Sequence, residues 1–300
     1  MPPAGAFHRE LDTAVRGDEG SLKKCRVGEQ GLLLAVSDGM GGAEAGELAS
    51  FLVCESLRDE LTAPKKSSTG TLVREAVERA NSVVLDAAGE SPKRSGMGAT
   101  LTAVLVRGDH AYVAGVGDSR CYIIRLNRIR QLTRDQSLVE SLVELGHITR
   151  EEAETSPHKN IILQALGTRP QVAVELSRLQ LCRGDMLLLC SDGLSGKVND
   201  EELKALALEG PTIEEACRRM IEVARARGGE DNITVVLSHF SGAGLPSPVD
   251  LGSVTGTLEK IHGFNHATGT GYDDDAAQSH EEPYIGDLTT APLNPPPDEK

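Results

Sequence analysis

Four aspartates lie where predicted strands begin or end, and their carboxylates could bind metal ions. Two of them, Asp38 and Asp192, occur in nearly identical phrases in which an apolar run is followed by Ser-Asp-Gly. Asp118 follows Gly117 between two further strand-like runs, and Asp231 comes just before the last such run. A strand holds a carboxylate at its end rigidly, and a neighbouring glycine lets backbone and ligand approach closely.

Grouped carboxylates repel one another and are costly in a medium of low dielectric unless a cation neutralises them. Ligand sets made only of oxygen favour hard ions such as Mg²⁺ or Mn²⁺. Any one Asp-Gly pair is also ordinary turn chemistry. Four such aspartates, two of them after similar apolar runs, are harder to explain by turn preference. The pattern therefore predicts a divalent-cation site.

The elements that must position these aspartates are short strands and a few amphipathic helices. Strand-like runs rich in aliphatic residues cover 32–37, 100–106, 111–116, 121–125, 186–190 and 233–237. Helical spacing of apolar residues covers 45–61, 72–88, 137–145 and 213–226, the last with Thr212 as its N-cap. Because the strands are grouped, the pattern favours an α+β fold with antiparallel sheets. The long polar segment 127–168 is predicted to form a surface flap beside the site.

The composition is that of a globular chain, with 39% hydrophobic and 25% charged residues. A net charge of −14 and an aromatic content of 3% without tryptophan argue against a nucleic-acid partner. The six cysteines contain no CxxC pair, which indicates a reducing compartment. No apolar run approaches the ~18 residues of a membrane helix. We therefore expect a cytoplasmic protein without a membrane partner.

The composition changes near residue 241. Residues 241–300 contain seven of the 14 prolines, and ten acidic residues against two lysines. This composition predicts a folded domain over 1–240 and a disordered acidic, Pro/Gly-rich tail over 241–300. A linker, a docking segment and an autoregulatory arm would all have this composition.

Five phrases of the sequence together resemble the PP2C (PPM) family of metal-dependent phosphatases, in its bacterial form. They occur in the family's order, over roughly residues 10 to 240. The phrases are Asp38-Gly39-Met40-Gly41-Gly42, Gly96-Met97-Gly98-Ala99-Thr100, Gly117-Asp118-Ser119-Arg120, Ser191-Asp192-Gly193 and Asp231-Asn232-Ile233-Thr234. Each phrase is weak evidence alone, and their combination is specific.

The resemblance implies a four-layer α/β/β/α sandwich with two central antiparallel β-sheets and a metal site between them. It implies hydrolysis of phosphoserine and phosphothreonine on proteins by a water that two Mn²⁺ or Mg²⁺ ions activate. Carried onto this chain, Asp38 bridges both metals and the Gly39 carbonyl faces the second. Asp192 and Asp231 then hold the first metal, and Asp118 resembles the ligand of a third, weaker one.

The start of the chain departs from the family pattern. Members usually have a phosphate-binding arginine followed by Asn-Glu-Asp, whereas this chain has Arg16-Gly17-Asp18-Glu19-Gly20. Alignment on the following Ser-Leu places Glu19 at the metal-binding glutamate. The spacing from Arg16 to this acid is shorter than usual, so either Arg16 or Arg9 would bind the phosphate. Met40 occupies the position of a histidine in animal members, which leaves the general acid unassigned.

Two functions of different classes follow. The first is a monomeric phosphatase that acts on phosphorylated proteins, including a Ser/Thr kinase or its substrates. The alternative is a catalytically weak or inactive PP2C-like module that binds a partner through the fold and the acidic tail, which the irregular stretch from Arg16 to Gly20 motivates. Some family relatives dephosphorylate anti-anti-sigma factors, and the sequence does not separate these substrates.

Overall fold

Two antiparallel β-sheets face each other in the structure, and helices cover the outer face of each. The computed structural model describes residues 26–28, 30–63, 67–229, 231–248 and 258–261. Arg9, Arg16 and Glu19 lie outside the described residues, so their predicted roles stay predictions.

The described elements are, in chain order, β1 (Leu32–Val36), β2 (Gly39–Met40), α1 (Ala43–Thr62), α2 (Thr69–Gly89), β3 (Gly98–Ala99), β4 (Leu101–Arg107), β5 (His110–Val116), β6 (Arg120–Arg125), β7 (Arg128–Gln131), α3 (Leu138–Glu144), α4 (Arg150–Thr155), β8 (Glu175–Gln180), β9 (Met186–Cys190), α5 (Asp192–Ser195), α6 (Asp200–Glu209), α7 (Ile213–Ala226), β10 (Val235–His239) and β11 (Glu259–Lys260). One sheet has the strand order β1-β4-β5-β8-β11 and the other has β10-β9-β6-β7. A separate two-stranded pair joins β2 to β3.

The core has three layers that alternate with the sheets. The outer face of the five-stranded sheet packs against α1 and α2, with Leu101 and Leu105 pointing to the helices. The opposite face, which carries Val104 and Val106, packs against the four-stranded sheet. The outer face of that second sheet packs against α6 and α7. This arrangement is the four-layer α/β/β/α sandwich with two central antiparallel sheets that the resemblance implied.

Strand β9 shows why its sequence is a continuous apolar run. Leu187 and Leu189 point into the layer between the sheets, whereas Leu188 and Cys190 point to α6 and α7. All five residues of the strand are buried. A strand buried on both faces needs apolar side chains at every position rather than at alternate ones.

A buried ion pair ties β6 to the turn before β9. Arg125 donates through Nε and Nη2 to the two carboxylate oxygens of Asp185 at 2.7 and 2.6 Å. The backbone N–H of Cys182 also donates to Asp185 at 2.7 Å, and the Asp185 side chain has no exposed area. Additional hydrogen bonds of this kind offset the cost of taking a charge pair out of water.

The six predicted strands and four predicted helices are present, and Thr212 caps α7 by accepting from the Glu215 N–H at 3.1 Å. The prediction of a flap over 127–168 is wrong at its start. Residues 128–131 form β7, which pairs with β6 inside the four-stranded sheet, and α3 and α4 follow. Alternating arginines give this strand a polar sequence that resembles a surface loop.

The predicted tail also contains structure. Glu259 and Lys260 form β11, which pairs with β8, so this part of the segment 241–300 belongs to the sheet. A two-residue strand at a sheet edge carries too few side chains to produce an alternating pattern. None of the helices in the described residues is long and apolar enough to cross a membrane.

Candidate metal centre

Four strand ends bring the predicted aspartates to the same end of the two sheets. Asp38 follows β1, and Asp118 connects β5 to β6, where the chain passes from one sheet to the other. Asp192 follows β9, and Asp231 precedes β10, which pairs with β9 in antiparallel register with Val235 opposite Cys190.

A hydrogen-bond network centred on Thr100 holds the Asp38 side of the site. The Thr100 N–H donates to the Asp38 carbonyl at 2.8 Å, and the Asp38 N–H donates to Thr100 Oγ1 at 3.0 Å. Thr100 Oγ1 also shares a hydrogen bond of 2.8 Å with Ser119 Oγ. The single hydroxyl of Thr100 thus connects the backbone of Asp38 to the residue that follows Asp118.

The serines of the two Ser-Asp-Gly phrases have equivalent structural roles. Ser37 Oγ donates to the Thr100 carbonyl at 2.7 Å. Ser191 Oγ donates to the Asn232 carbonyl and accepts from the Thr234 N–H, both at 3.0 Å. Each serine therefore fixes the turn carrying its aspartate to the backbone of a neighbouring segment. The sequence similarity of the phrases reflects this shared structural task.

Close backbone contacts explain the glycines of the first phrase. A Cβ atom on Gly39 would lie 1.8 Å from the Gly46 carbonyl oxygen in α1. A Cβ atom on Gly46 would in turn lie 2.7 Å from the carbonyl oxygen of Gly39. Because residue 46 is glycine, no side chain from α1 obstructs the Gly39 carbonyl oxygen, which is one of the predicted metal ligands.

Burial and mutual repulsion shift the carboxylates toward their neutral form. Burial raises the pKa of Asp38, and the charges of Asp192, Asp231 and Asp118 raise it further. Burial and then Asp231 raise the pKa of Asp192. Burial, Asp192 and Asp135 raise the pKa of Asp118 to about 7. A cation among these groups would reverse the shifts, because it favours the ionised form.

The donor set fits a hard divalent cation. Asp192 Oδ1 is buried and has no hydrogen-bond partner within the part of the chain that the structure describes. Buried polar atoms are almost always satisfied, so this oxygen is free to bind a ligand. Carboxylate and carbonyl oxygens suit Mg²⁺ or Mn²⁺.

The aspartates lie close enough for their charges to interact, and Asp38 and Asp192 also contact each other through a side-chain hydrogen bond. Among the described side chains, no three from His, Cys, Asp or Glu group closely enough to hold an ion alone. Asp231 is exposed at the rim. A complete coordination sphere would therefore draw on the Gly39 carbonyl, on water, or on residues outside the described ranges such as Glu19.

Arg120 is a charged residue near the site to which the sequence analysis assigned no role. Its guanidinium group forms hydrogen bonds of 2.7 to 3.0 Å with both carboxylate oxygens of Asp135, on the segment after β7. Burial raises the pKa of Asp118 and of Asp192, and the charge of Arg120 opposes this rise. The sequence analysis also assigned no role to Thr100. Both residues stand inside the quoted phrases, but their partners are distant in sequence.

Comparison with known proteins agrees with this geometry. The family model for protein phosphatase 2C matches residues 6–238. The chain belongs to the PP2C family. It is 37% identical over 264 residues to the Ser/Thr protein phosphatase PstP of Mycobacterium tuberculosis, covering 86% of this chain and 51% of the relative. The chain thus spans about half the length of that relative. It is 38% identical over 209 residues to the Ser/Thr phosphatase stp of Listeria monocytogenes, covering 68% of this chain and 83% of the relative.

Solved structures of PP2C proteins share the fold. The crystal structure of M. tuberculosis PstP superimposes with a TM-score of 0.66 at 36% identity, covering 73% of this chain and 95% of that chain. A structure of the PstP catalytic domain in complex with two manganese ions has a TM-score of 0.63 at 35% identity, covering 73% of this chain and 94% of that chain.

Proposed function

We propose that this PP2C protein hydrolyses phosphoserine and phosphothreonine on proteins in a metal-dependent reaction. The observation that carries the proposal is the clustering of Asp38, Asp118 and Asp192 at one end of the sandwich, with a buried oxygen of Asp192 free of protein partners among the described residues. The names of the PstP and stp relatives and the two manganese ions of one neighbour support it.

Asp38, the Gly39 carbonyl, Asp192 and Asp231 would hold two divalent cations, Mn²⁺ or Mg²⁺, together with Glu19, and Asp118 would hold a third. When bound, such cations supply a Lewis acid and lower the pKa of a water molecule for in-line attack on phosphorus. The contribution of this chain is to hold the carboxylates in place through Thr100, Ser37 and Ser191. Arg16 would bind the phosphate.

The substrates we propose are phosphorylated proteins, among them a Ser/Thr kinase or its targets, and the enzyme would act as a cytoplasmic monomer without nucleic-acid or membrane partners. The alternative of an inactive binding module rests on the irregular stretch 16–20. No observation on the described residues favours it, because the carboxylates and their supporting hydrogen bonds are intact.

The deciding experiment measures phosphate release from a phosphothreonine peptide and from p-nitrophenyl phosphate with Mn²⁺, Mg²⁺ or EDTA. We expect turnover with metal, none with EDTA, and a loss of at least about 100-fold in Asp192→Asn, because the variant loses a metal ligand. The matched control is Asp59→Asn, the same change at an exposed aspartate on α1, which should keep full activity.

Two further results would separate the alternatives. Glu19→Gln should weaken metal-dependent turnover if Glu19 is a ligand, and leave it unchanged if the irregular stretch is not used. Absence of turnover with every metal, together with absence of a tight Mn²⁺ site in calorimetry, would support the binding module and reject the phosphatase.

A further inference from the structure

The ion pair between Arg120 and Asp135 lies directly beside the candidate metal centre. Arg120 begins β6, two residues after Asp118, and Asp135 follows β7. The Arg120 Nε donates to both carboxylate oxygens of Asp135 at 3.0 Å, and Nη2 donates to Oδ2 at 2.7 Å. The two side chains are 28% and 12% exposed. An ion pair with two donor atoms and little exposure holds a more definite geometry than a single contact on the surface.

Two neighbouring side chains complete the hydrogen bonding of this pair. The Arg120 Nη1 donates to the Tyr122 hydroxyl at 3.0 Å, and Gln131 Nε2 donates to Asp135 Oδ1 at 2.8 Å. Tyr122 is completely buried and lies opposite Gln131 in the antiparallel pair of β6 with β7. The folded sheet therefore fixes the orientation of both charged groups.

The backbone brings Asp135 next to Asp118. The Gln136 N–H donates to the Gly117 carbonyl at 2.8 Å, and the Gly117 N–H donates to Gln136 Oε1 at 2.9 Å. This contact continues the antiparallel register of β6 with β7 beyond the ends of both strands. Asp118 follows Gly117 and Asp135 precedes Gln136, so the two aspartates are neighbours across the contact.

The charges of Arg120 and Asp135 act on the proposed metal ligands in opposite directions. Burial is the main cause of the raised pKa of Asp118, the charges of Asp192 and Asp135 raise this pKa further, and Arg120 opposes the rise. Burial and the charge of Asp231 raise the pKa of Asp192, and Arg120 opposes this rise as well. A metal ion between these carboxylates would be attracted by Asp135 and repelled by Arg120.

We propose that Asp135 is a positioning residue of the metal centre, which holds the Arg120 guanidinium in a closed ion pair so that this guanidinium does not pair with Asp118 in place of a metal ion. The inference rests on the proposed metal-dependent function. Without the Asp135 carboxylate the Arg120 charge loses its partner, and an unpaired charge with little exposure is strongly unfavourable. Asp118 and Asp192, which already interact with this charge, then become its partners and bind a metal ion less tightly.

The test is calorimetric titration of the metal-free protein with Mn²⁺, following the site that is lost in Asp118→Asn. Asp135→Asn keeps the size of the side chain and removes its charge, so it should weaken binding at this site at least about tenfold. Arg120→Gln removes the competing cation and should tighten binding by about threefold or more. The double variant Arg120→Gln/Asp135→Asn should bind within about threefold of the unmodified protein.

A second bidentate pair provides the matched control. Arg58 Nη1 and Nη2 donate to the two carboxylate oxygens of Glu55 on α1 at 2.7 and 2.6 Å, with side chains 35% and 36% exposed. Glu55→Gln makes the same change from carboxylate to amide and should leave Mn²⁺ binding unchanged. A cooperative urea transition shows that each variant is folded. If Asp135→Asn does not fold, the direction of the change in Arg120→Gln decides alone.

A purely structural role of the ion pair predicts a different pattern of affinities. Each single variant would then weaken Mn²⁺ binding, and the double variant would bind no better than Asp135→Asn. Weaker binding in Arg120→Gln would therefore overturn the proposal, and so would a double variant without recovery. Absence of Mn²⁺ binding by the unmodified protein would reject the proposed function together with this inference. Binding that the variants at positions 120 and 135 leave unchanged would reject this inference alone.

Discussion

Thr100 offers a direct way to test whether hydrogen bonding to the Asp38 backbone maintains the candidate metal centre. The side chain is 4% exposed, and its hydroxyl serves both the Asp38 N–H and Ser119 Oγ. Thr100→Val keeps the volume of the side chain but removes the hydroxyl, which leaves the partly buried Asp38 N–H and the buried Ser119 hydroxyl without this partner. Each such group costs about 1–3 kcal/mol. We expect the free energy of unfolding to fall by about 2–4 kcal/mol.

Thr100→Ser is the matched control, because it keeps the hydroxyl and removes one methyl group. Its expected cost is about 1 kcal/mol. Urea unfolding monitored by circular dichroism measures both variants without metal.

The same pair of variants separates a role in the site from a role in stability. Loss of a hydrogen bond that orients a ligand typically weakens metal affinity by about 10- to 100-fold. Calorimetric titration with Mn²⁺ should therefore show Thr100→Val binding at least about tenfold more weakly, and Thr100→Ser binding within about threefold of the unmodified protein. Equal behaviour of the two variants in both assays would refute the reasoning that the hydroxyl positions Asp38.

Three other predictions follow from the packing. Gly39→Ala places a Cβ atom 1.8 Å from the Gly46 carbonyl oxygen, so it should lower the free energy of unfolding by about 3 kcal/mol. Urea denaturation measures this change, and an unchanged midpoint would contradict the prediction. Asp185→Ala leaves the buried Arg125 charge unpaired and should cost about 3–5 kcal/mol, whereas Glu201→Ala at an exposed pair should cost less than about 1 kcal/mol. Burial raises the pKa of the Cys190 thiol from 9.0 to about 12, so the thiol stays neutral as the pH rises from about 7 to about 9. Mass spectrometry should therefore find iodoacetamide labelling of Cys190 only after unfolding. Rapid labelling of Cys190 in the folded protein would contradict this prediction.

The strands that carry the site were predictable because their sequences leave few alternatives. A run such as Met186-Leu187-Leu188-Leu189-Cys190 has apolar residues at every position, which suits a strand with packed layers on both sides. The glycines and serines that flank the aspartates added turn chemistry at the strand ends. The four described aspartates could therefore be assigned to strand boundaries without coordinates.

Other elements lacked such a signal or had one that went unused. Glu175–Gln180 mixes polar and apolar residues and was not recognised as β8. The helix Asp200–Glu209 has a capping box between Asn199 and Glu202, and this signal was available but was not used. β2 and β3 pair through glycine-rich backbone, which produces no side-chain pattern. The supporting role of Thr100 depends on a partner 62 residues away, and local sequence does not encode such a distance.

The two halves of the candidate metal centre follow strands of different sheets, so the packing between the sheets sets the distance between these halves. Asp38 follows a strand of the five-stranded sheet, and Asp192 follows a strand of the four-stranded sheet. Their separation depends on how thick the layer between the sheets is, and side chains such as Val104, Val113 and Leu187 fill that layer. Facing sheets pack about 10 Å apart, and the size of the side chains sets the value. If the site binds cations as proposed, a substitution that changes the interior volume should also change cation affinity, even where every aspartate is kept.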